Sequence, residues 1–320
     1  MKRLSVIVPV RDRAKQLERC LQSIGRQSYR PLQVVVVDNG SSDGSVVVAQ
    51  SAAISMRKAG IEVKVISEPR QGATFARNAA IEHTDGNVLA FVDSDDTIRP
   101  EYAETVMAPF NSDDDVEIVF WRKNGHWPDG SQREFRFTRK ASLETHVVHA
   151  VLDTMGCAVS RNLYQRTGGW NTSLPIWNDW EIGIRYLLNL KGKVARIDRV
   201  LIDKYQHADS ITGSSYLSHK GRYEKSLQAA MVYAGGNAWL RTLLAYKTSV
   251  LGAHYRREGD QKAGGETLAN ASKMLPCRCG VPILRMIYTY TSKGLRGAAL
   301  WAVPLLKICC GCRSGNRRKQ

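Results

Sequence analysis

The sequence predicts an α/β fold: a mostly parallel, twisted sheet flanked by helices, followed by a C-terminal helical extension. Two observations carry this. Between Met1 and Asp95, apolar runs of strand length alternate with segments whose apolar residues recur at helical spacing, and that alternation builds a doubly wound sheet. The run Val34-Val35-Val36-Val37 consists of four successive β-branched residues, which suits a strand covered on both faces, the situation of a parallel sheet.

From the N-terminus, Leu4 to Val8 reads as a buried strand, and Leu17, Leu21 and Ile24 fall on one helical face, so the first unit is strand, loop, helix. The valine strand ends at Asp38 and enters the turn-rich Asn39-Gly40-Ser41-Ser42-Asp43-Gly44. Glu62 to Ser67 is a third strand, Thr74 to Ile81 a helix, and Val88 to Val92 a fourth strand. That last strand runs into Asp93-Ser94-Asp95-Asp96, three carboxylates in four residues. Such crowding is self-repelling unless a cation sits there, although an acidic loop by itself also serves as an ordinary turn or helix cap.

Composition narrows the class. The chain has 320 residues, 43% hydrophobic and 24% charged, as in a soluble globular protein. Its length suits one large domain, 1–215, and a smaller helical region, 216–320. The 46 Lys and Arg against 30 Asp and Glu give a formal charge of +16, which favours a phosphate-bearing substrate, an acidic membrane surface or nucleic acid. No motif interleaves basic and aromatic residues, so nucleic acid is not an expected partner. Seven cysteines, an odd number outside any small stapled framework, indicate a reducing, cytoplasmic setting. The apolar run ending at Pro9 is too short for a signal-peptide core. Cys277-x-Cys279 and Cys309-Cys310-x-Cys312 lack the Cys-x₂-Cys spacing of structural zinc sites.

In an open α/β sheet, ligands bind beyond the carboxyl ends of the strands. Pro9-Val10-Arg11, Asp38-Asn39-Gly40 and Asp93-Ser94-Asp95 therefore converge on one crevice. An Arg for phosphate or base, a carboxylate for a base or ribose donor, and an acidic pair for a metal describe a nucleotide-diphosphate pocket. No Gly-x-Gly-x-x-Gly follows the first strand and no Gly-Lys-Ser/Thr is present, which counts against dinucleotide dehydrogenases and P-loop enzymes.

Four segments, Leu4 to Arg11, Val36 to Asp43, Gly72 to Asn78 and Phe91 to Asp96, together resemble family 2 glycosyltransferases of the GT-A fold. The resemblance covers roughly residues 3–215 and is specific because order, spacing and strand-end placement agree. Asn39 stands where the family commonly has a second Asp, and Asp12 where it often has Asn, adding negative charge near the nucleotide. The resemblance implies donor contacts at Pro9, Val10, Arg11, Asp38, Arg77, Asp93 and Ser94. It also implies Mg²⁺ or Mn²⁺ held mainly by Asp95 with Asp93, while Asp96 caps the next element of the chain.

Downstream, Gly168-Gly169-Trp170-Asn171 is similar to the family's Gly-Gly-Phe-Asp loop and precedes Trp177-Asn178-Asp179-Trp180-Glu181. Asp179 is then the implied catalytic base, with Asn178 in place of the usual Glu. A helix N-terminus there favours its ionised form. Glu181 is a supporting partner or an alternative base. Trp170, Trp177 and Trp180 offer flat faces to a sugar, Trp177 foremost. Tyr205-Gln206-His207 resembles the family's closing segment, which continues to Thr212 here with one residue fewer between Tyr and His. His207 is implied as a further metal ligand or a diphosphate contact. His146 and His149 share a helical side but lack a third ligand and read as structural.

The expected reaction is inverting transfer from a nucleotide-diphospho-sugar, a UDP-sugar in the first instance, to an acceptor hydroxyl. A hexosyl or hexosaminyl group would move to a carbohydrate or lipid-linked acceptor in cell-surface polysaccharide or glycolipid synthesis. The alternative is a catalytically degenerate nucleotide-sugar-binding protein on the same fold. Beyond the motifs, Tyr223 to Tyr255 reads as helical with a break at Gly235-Gly236, and Arg256 to Gly265 as a polar, Gly-containing stretch. The uncharged run Gly297 to Leu306 is too short to span a bilayer. Followed by Arg313, Arg317, Arg318 and Lys319, it suits attachment to an anionic membrane surface, the inner face of the cell membrane.

Overall fold

Side chains alternate between the two faces of a strand, and β1 (Leu4–Val10) and β2 (Leu32–Asp38) are buried along their whole length. Leu4, Val6, Val8, Val34 and Val36 point to one face, Ile7, Val35 and Val37 to the other. The first face is covered by α1 (Ala14–Gly25) through Leu17, Leu21 and Ile24, and by α2 (Ser45–Lys58) through Ala49, Ala53 and Met56. The second is covered by α3 (Ala73–Ile81) through Ala76 and Ala80. With β3 (Glu62–Ser67) and β4 (Val88–Phe91) the order is β3-β2-β1-β4, every pair parallel. This computed structural model describes residues 1–207 and 215–310, in two units, Met1–Ser210 and Ile211–Gln320.

Beyond β4 the first unit continues with β5 (Thr97–Ile98), α4 (Tyr102–Ser112), β6 (Val116–His126), β7 (Gln132–Glu134) and α5 (Leu143–His149). Then come β8 (Cys157–Ser160), α6 (Arg161–Thr167), α7 (Asn178–Asn189) and β9 (Lys193–Tyr205). The sheet extends as β4-β8-β6-β9-β5 with mixed pairing: β8 is antiparallel to β4 and β6, β9 parallel to β6, and β5 antiparallel to β9. The four parallel strands are thus those whose alternation the sequence displays. Buried His146, between α5 and α7, accepts from Leu152 N–H at Nδ1 and meets the Trp180 carbonyl at 2.8 Å through Nε2. A Cβ on Gly183 would fall 2.3 Å from that nitrogen, so the glycine makes room for a packed, structural histidine.

In the second unit a short turn, Leu217–His219, precedes α8 (Arg222–Val232), α9 (Ala238–Arg257), α10 (Gln261–Met274), α11 (Val281–Ser292) and α12 (Ala299–Cys309). The Gly235-Gly236 break falls between α8 and α9. Within the polar stretch Arg256 to Gly265, Asp260 caps a helix by accepting Ala263 N–H at 2.8 Å, and Gly264 and Gly265 lie inside α10. Gly264 serves contact. A Cβ on Gly252 of α9 would lie 2.9 Å from the Gly264 carbonyl, and one on Gly264 would lie 2.8 Å from the Gly252 carbonyl. The two helices therefore touch backbone to backbone, an approach that a side chain at either position would block.

Cys277 Sγ lies 3.0 Å from Cys279 Sγ, and Cys279 Sγ lies 2.7 Å from the Cys309 carbonyl. Among the described residues no group of three His, Cys, Asp or Glu is placed to hold a metal. No helix among them is long and apolar enough to cross a membrane. Cys312, the four tail cations, and Ala208 to Thr212 of the closing segment lie outside the described residues.

Candidate active site

The site begins where β1, β2 and β4 stop. Register places Pro9 beside Val37 and Val10 beside Asp38. Both Pro9 and Val10 are buried in the sheet, and the Val10 carbonyl accepts Asn39 N–H at 2.8 Å. Asp38 is buried and its carboxylate accepts Ser41 N–H at 3.2 Å. Asn39 locks the neighbouring loop: its amide donates to the Glu68 and Arg70 carbonyls, each at 2.8 Å, and its oxygen accepts Gly72 N–H at 2.7 Å. The residue departing from the family's Asp pair is thus a three-way brace, and a carboxylate could not donate to the two carbonyls.

Arg11 is exposed, its Nε 3.7 Å from Asp12. Asp12 takes a left-handed φ of 50°. Its carboxylate accepts the Ser42 N–H at 2.7 Å and hydroxyl at 3.0 Å, and those bonds lower its pKa. The charge expected to face the nucleotide is occupied with pinning one loop to the next. Asp43 accepts both Ala14 N–H and Ser45 N–H, satisfying the N-termini of α1 and α2 together.

In the acidic loop, exposure alternates. Asp93 and Asp95 are partly exposed, whereas Ser94 and Asp96 are buried. Asp93 Oδ1 accepts from Arg77 Nη2 at 2.9 Å. Arg77, itself buried, also donates from Nη1 to Asn178 Oδ1 at 3.3 Å and lies over the Trp170 ring at 4.5 Å. Asp95 Oδ2 lies 2.7 Å from His207 Nε2, and Arg13 Nη1 is 2.9 Å from that nitrogen and 3.4 Å from the same carboxylate oxygen. Asp96 does not cap the element that follows, β5: its carboxylate accepts Tyr205 N–H at 2.8 Å and so ties the acidic loop to the end of β9. Burial, with Asp93 and Asp95 nearby, pushes its carboxyl upward against Lys204.

The opposite wall is held from α3. Asn78 Oδ1 accepts Trp170 N–H at 2.9 Å and the Tyr164 hydroxyl at 3.0 Å, while its amide donates to the Trp170 carbonyl at 2.8 Å. Gly168 and Gly169 have φ of 82° and 76°, conformations that only glycine adopts freely in succession. Trp170 and Trp180 are buried and serve as packing instead of offering a face to sugar. Trp177 stays partly exposed just before α7, with φ of 51°. Glu181 is fully buried and bound twice by Arg185, at 2.8 and 2.7 Å, and Arg185 also donates to the Thr167 and Gly169 carbonyls. Glu181 thus anchors the arginine that holds the glycine loop and is removed from the choice of base.

Asp179 lies in the first turn of α7 and accepts Trp180 N–H at 2.8 Å. The helix N-terminus does not settle its ionisation: burial and neighbouring Asp153 raise its pKa, opposed by Lys204 and Arg77. Burial also pushes Asp153 up, but Lys123 and Lys204 outweigh it and leave that carboxyl below its ordinary value. Burial acts to lower Lys204, yet Asp96, Asp153, Asp93 and Asp179 raise it above the ordinary range. One ammonium thus faces carboxylates of both walls. Neither Lys204 nor Asp153, Lys123, Asn78 or Arg13 emerges as a site residue from the sequence, because each matters through contacts distant in the chain.

Among the described residues no three-residue metal set forms at this edge. Asp95 and His207 form an oxygen–nitrogen pair, and the Arg13 guanidinium contacts both, so an arginine already supplies the positive charge at this edge. Asp93 is held by Arg77 and does not complete a three-residue set with them. Mg²⁺ and Mn²⁺ favour carboxylate oxygen, and Mg²⁺ usually takes its remaining ligands from phosphate and water, so Asp95 suits such an ion better than the His207 nitrogen does.

The fold matches solved glycosyltransferases. Staphylococcus aureus TarS 1–349, in complex with UDP-GlcNAc, superposes with a TM-score of 0.70 at 18% identity, covering 92% of this chain and 93% of that one. The mannosyltransferase PcManGT from Pyrobaculum calidifontis, in complex with GDP-Man and Mn²⁺, gives 0.50 at 18% identity, covering 97% and 86%. YibD of Escherichia coli K12, an uncharacterized glycosyltransferase, is 33% identical over 125 residues, 39% of this chain and 34% of its own length. This chain therefore spans about a third of that relative. The class defined by the fold is the GT-A glycosyltransferases. The Glycosyl transferase family 2 model matches residues 5–166, just over half of the chain, and the protein belongs to that family.

Proposed function

We propose that this protein is an inverting, metal-dependent glycosyltransferase that moves a hexosyl or hexosaminyl group from a UDP-sugar to an acceptor hydroxyl. One observation carries the reading most: Arg77 joins Asp93 of the donor loop to Asn178, the residue before Asp179. The two carboxylate walls are thereby fixed to a single guanidinium.

In this mechanism Asp179 accepts the proton of the acceptor hydroxyl as that oxygen bonds to the anomeric carbon. The bond from that carbon to the diphosphate oxygen breaks on the opposite side, which inverts the centre. Asp95 and His207 would hold Mg²⁺ or Mn²⁺, which when bound offsets charge on the departing diphosphate. Arg77 positions Asp93 toward the donor, and Lys204 opposes the burial that raises the Asp179 pKa. Trp177 offers the sugar an apolar face. A carbohydrate or lipid-linked acceptor of cell-surface polysaccharide or glycolipid synthesis, met at the cytoplasmic side, fits the family and the positive charge.

Thermal-shift screening of nucleotide sugars with Mn²⁺ tests the donor site, with Asp95→Ala as control. The reading predicts stabilisation of the wild type that the variant loses. If no nucleotide stabilises the wild type, the donor assignment is wrong. If nucleotide binds yet no acceptor or water accepts sugar in a broad screen, the protein is a binder on this fold.

A further inference from the structure

We propose that the face formed by α11 and α12 docks on an anionic lipid bilayer surface. This does not depend on the transfer reading. Helix α12, Ala-Leu-Trp-Ala-Val-Pro-Leu-Leu-Lys-Ile-Cys, has a single charged residue, Lys307. Ala302, Val303 and Leu306 are buried inward. Leu300, Pro304 and Ile308, spaced by four, form an outward row with Leu305 beside it, and Leu300 and Ile308 are 69% and 76% exposed. Leu295 and Met286 add exposed apolar surface before α12 and within α11. A helix apolar on all sides is ordinarily enclosed on all sides, and large exposed apolar patches mark interaction surfaces. Eleven residues reach about 16 Å, roughly half the hydrocarbon thickness of a bilayer, so this helix lies on a membrane or against a partner and does not cross.

Charge decides the partner. Glu266 is the last acidic residue of the chain, and residues 267–320 carry ten Lys and Arg with no Asp or Glu. Arg285, Lys293, Arg296 and Lys307 are exposed on α11, α12 and their connection. A second copy pairing through this face would set cations against the same cations, whereas an anionic bilayer neutralises them and receives the leucine row. Nucleic acid would neutralise the charge but leave the apolar row in water.

The test is sedimentation of the full chain, without nucleotide, on vesicles of phosphatidylcholine alone and of phosphatidylcholine with phosphatidylglycerol. The chain should pellet with the anionic vesicles and be released by salt. Leu300→Glu with Ile308→Glu should weaken binding at least about tenfold, and Arg285→Gln with Lys293→Gln and Arg296→Gln about a hundredfold. Unchanged circular dichroism and thermal midpoints would show that both variants fold. The proposal is overturned by absence of pelleting on anionic vesicles or by equal binding of folded variants. A concentration-dependent dimer abolished by the two glutamates would also overturn it, giving the face to a second copy.

Discussion

His207 Nε2 stands 2.7 Å from Asp95 Oδ2 although 112 positions separate them in the chain. The strand end that bears Asp95 and the segment after β9 meet because Asp96 accepts the Tyr205 backbone N–H. The Arg13 guanidinium reaches the same two atoms, 2.9 Å from the imidazole nitrogen and 3.4 Å from the carboxylate oxygen, so a metal ion bound there would have to displace it.

Either Asp95→Asn or His207→Ala should abolish the extra thermal stabilisation that Mn²⁺ gives in the presence of a nucleoside diphosphate. EDTA should do the same to the wild type. Differential scanning fluorimetry reads all three, and a full Mn²⁺-dependent shift in both variants would remove these residues from the metal site.

Asp179→Asn should lower transfer by at least about a hundredfold, the lower range for removing a general base, with donor affinity nearly unchanged. Because burial and Asp153 raise the Asp179 pKa, activity should fall on acidification at a pH above the ordinary carboxylate range. Lys204→Met, which removes a charge that lowers this pKa, should move the acid limb to higher pH, and Lys204→Arg should restore it. A limb that stays put in Lys204→Met contradicts the assignment. Stability has the opposite sense: with the folded pKa raised, the contribution of Asp179 is fully present below the unfolded pKa and lost as pH rises through the folded one. Denaturant midpoints of Asp179→Asn should lack that decline.

Arg77 binds Asp93 and Asn178 while lying over Trp170. Arg77→Met leaves the Asp93 carboxylate without its partner and should cost about 2 kcal/mol, less than the full penalty of a buried broken pair because Asp93 is partly exposed. Arg77→Lys should recover only part, since an ammonium lacks the planar fork that reaches two acceptors. Urea unfolding of the three proteins measures this, and equal stability would show that the bridge is dispensable.

Gly264→Val should destabilise the second unit by about 1–3 kcal/mol, the range for overpacking, because its Cβ would enter the space of the Gly252 carbonyl and the Tyr288 hydroxyl. Gly265→Val, at a position with open space around it, is the control. Similar denaturation midpoints for the two would refute the close helix contact.

Residue type and local spacing were enough for the parallel half of the sheet. Val34 to Val37 and Leu4 to Val8 state their burial locally, and the acidic loop after β4 shows where those strands open. The motifs also single out Asp95, Asp179, Arg77 and His207 as candidates. How those residues are arranged became visible in the packed chain alone. Asn39 reads as a missing carboxylate until its amide is seen bracing three backbone groups, and Glu181 reads as a possible base until Arg185 is seen enclosing it. Lys204 and Asp153 carry no local signal, because their effect is Coulombic and depends on distance in space, which spacing along the chain does not encode. Burial divides the site in the same way: Asp179 at a helix start looks ionised from sequence, and only the packing around it raises its pKa.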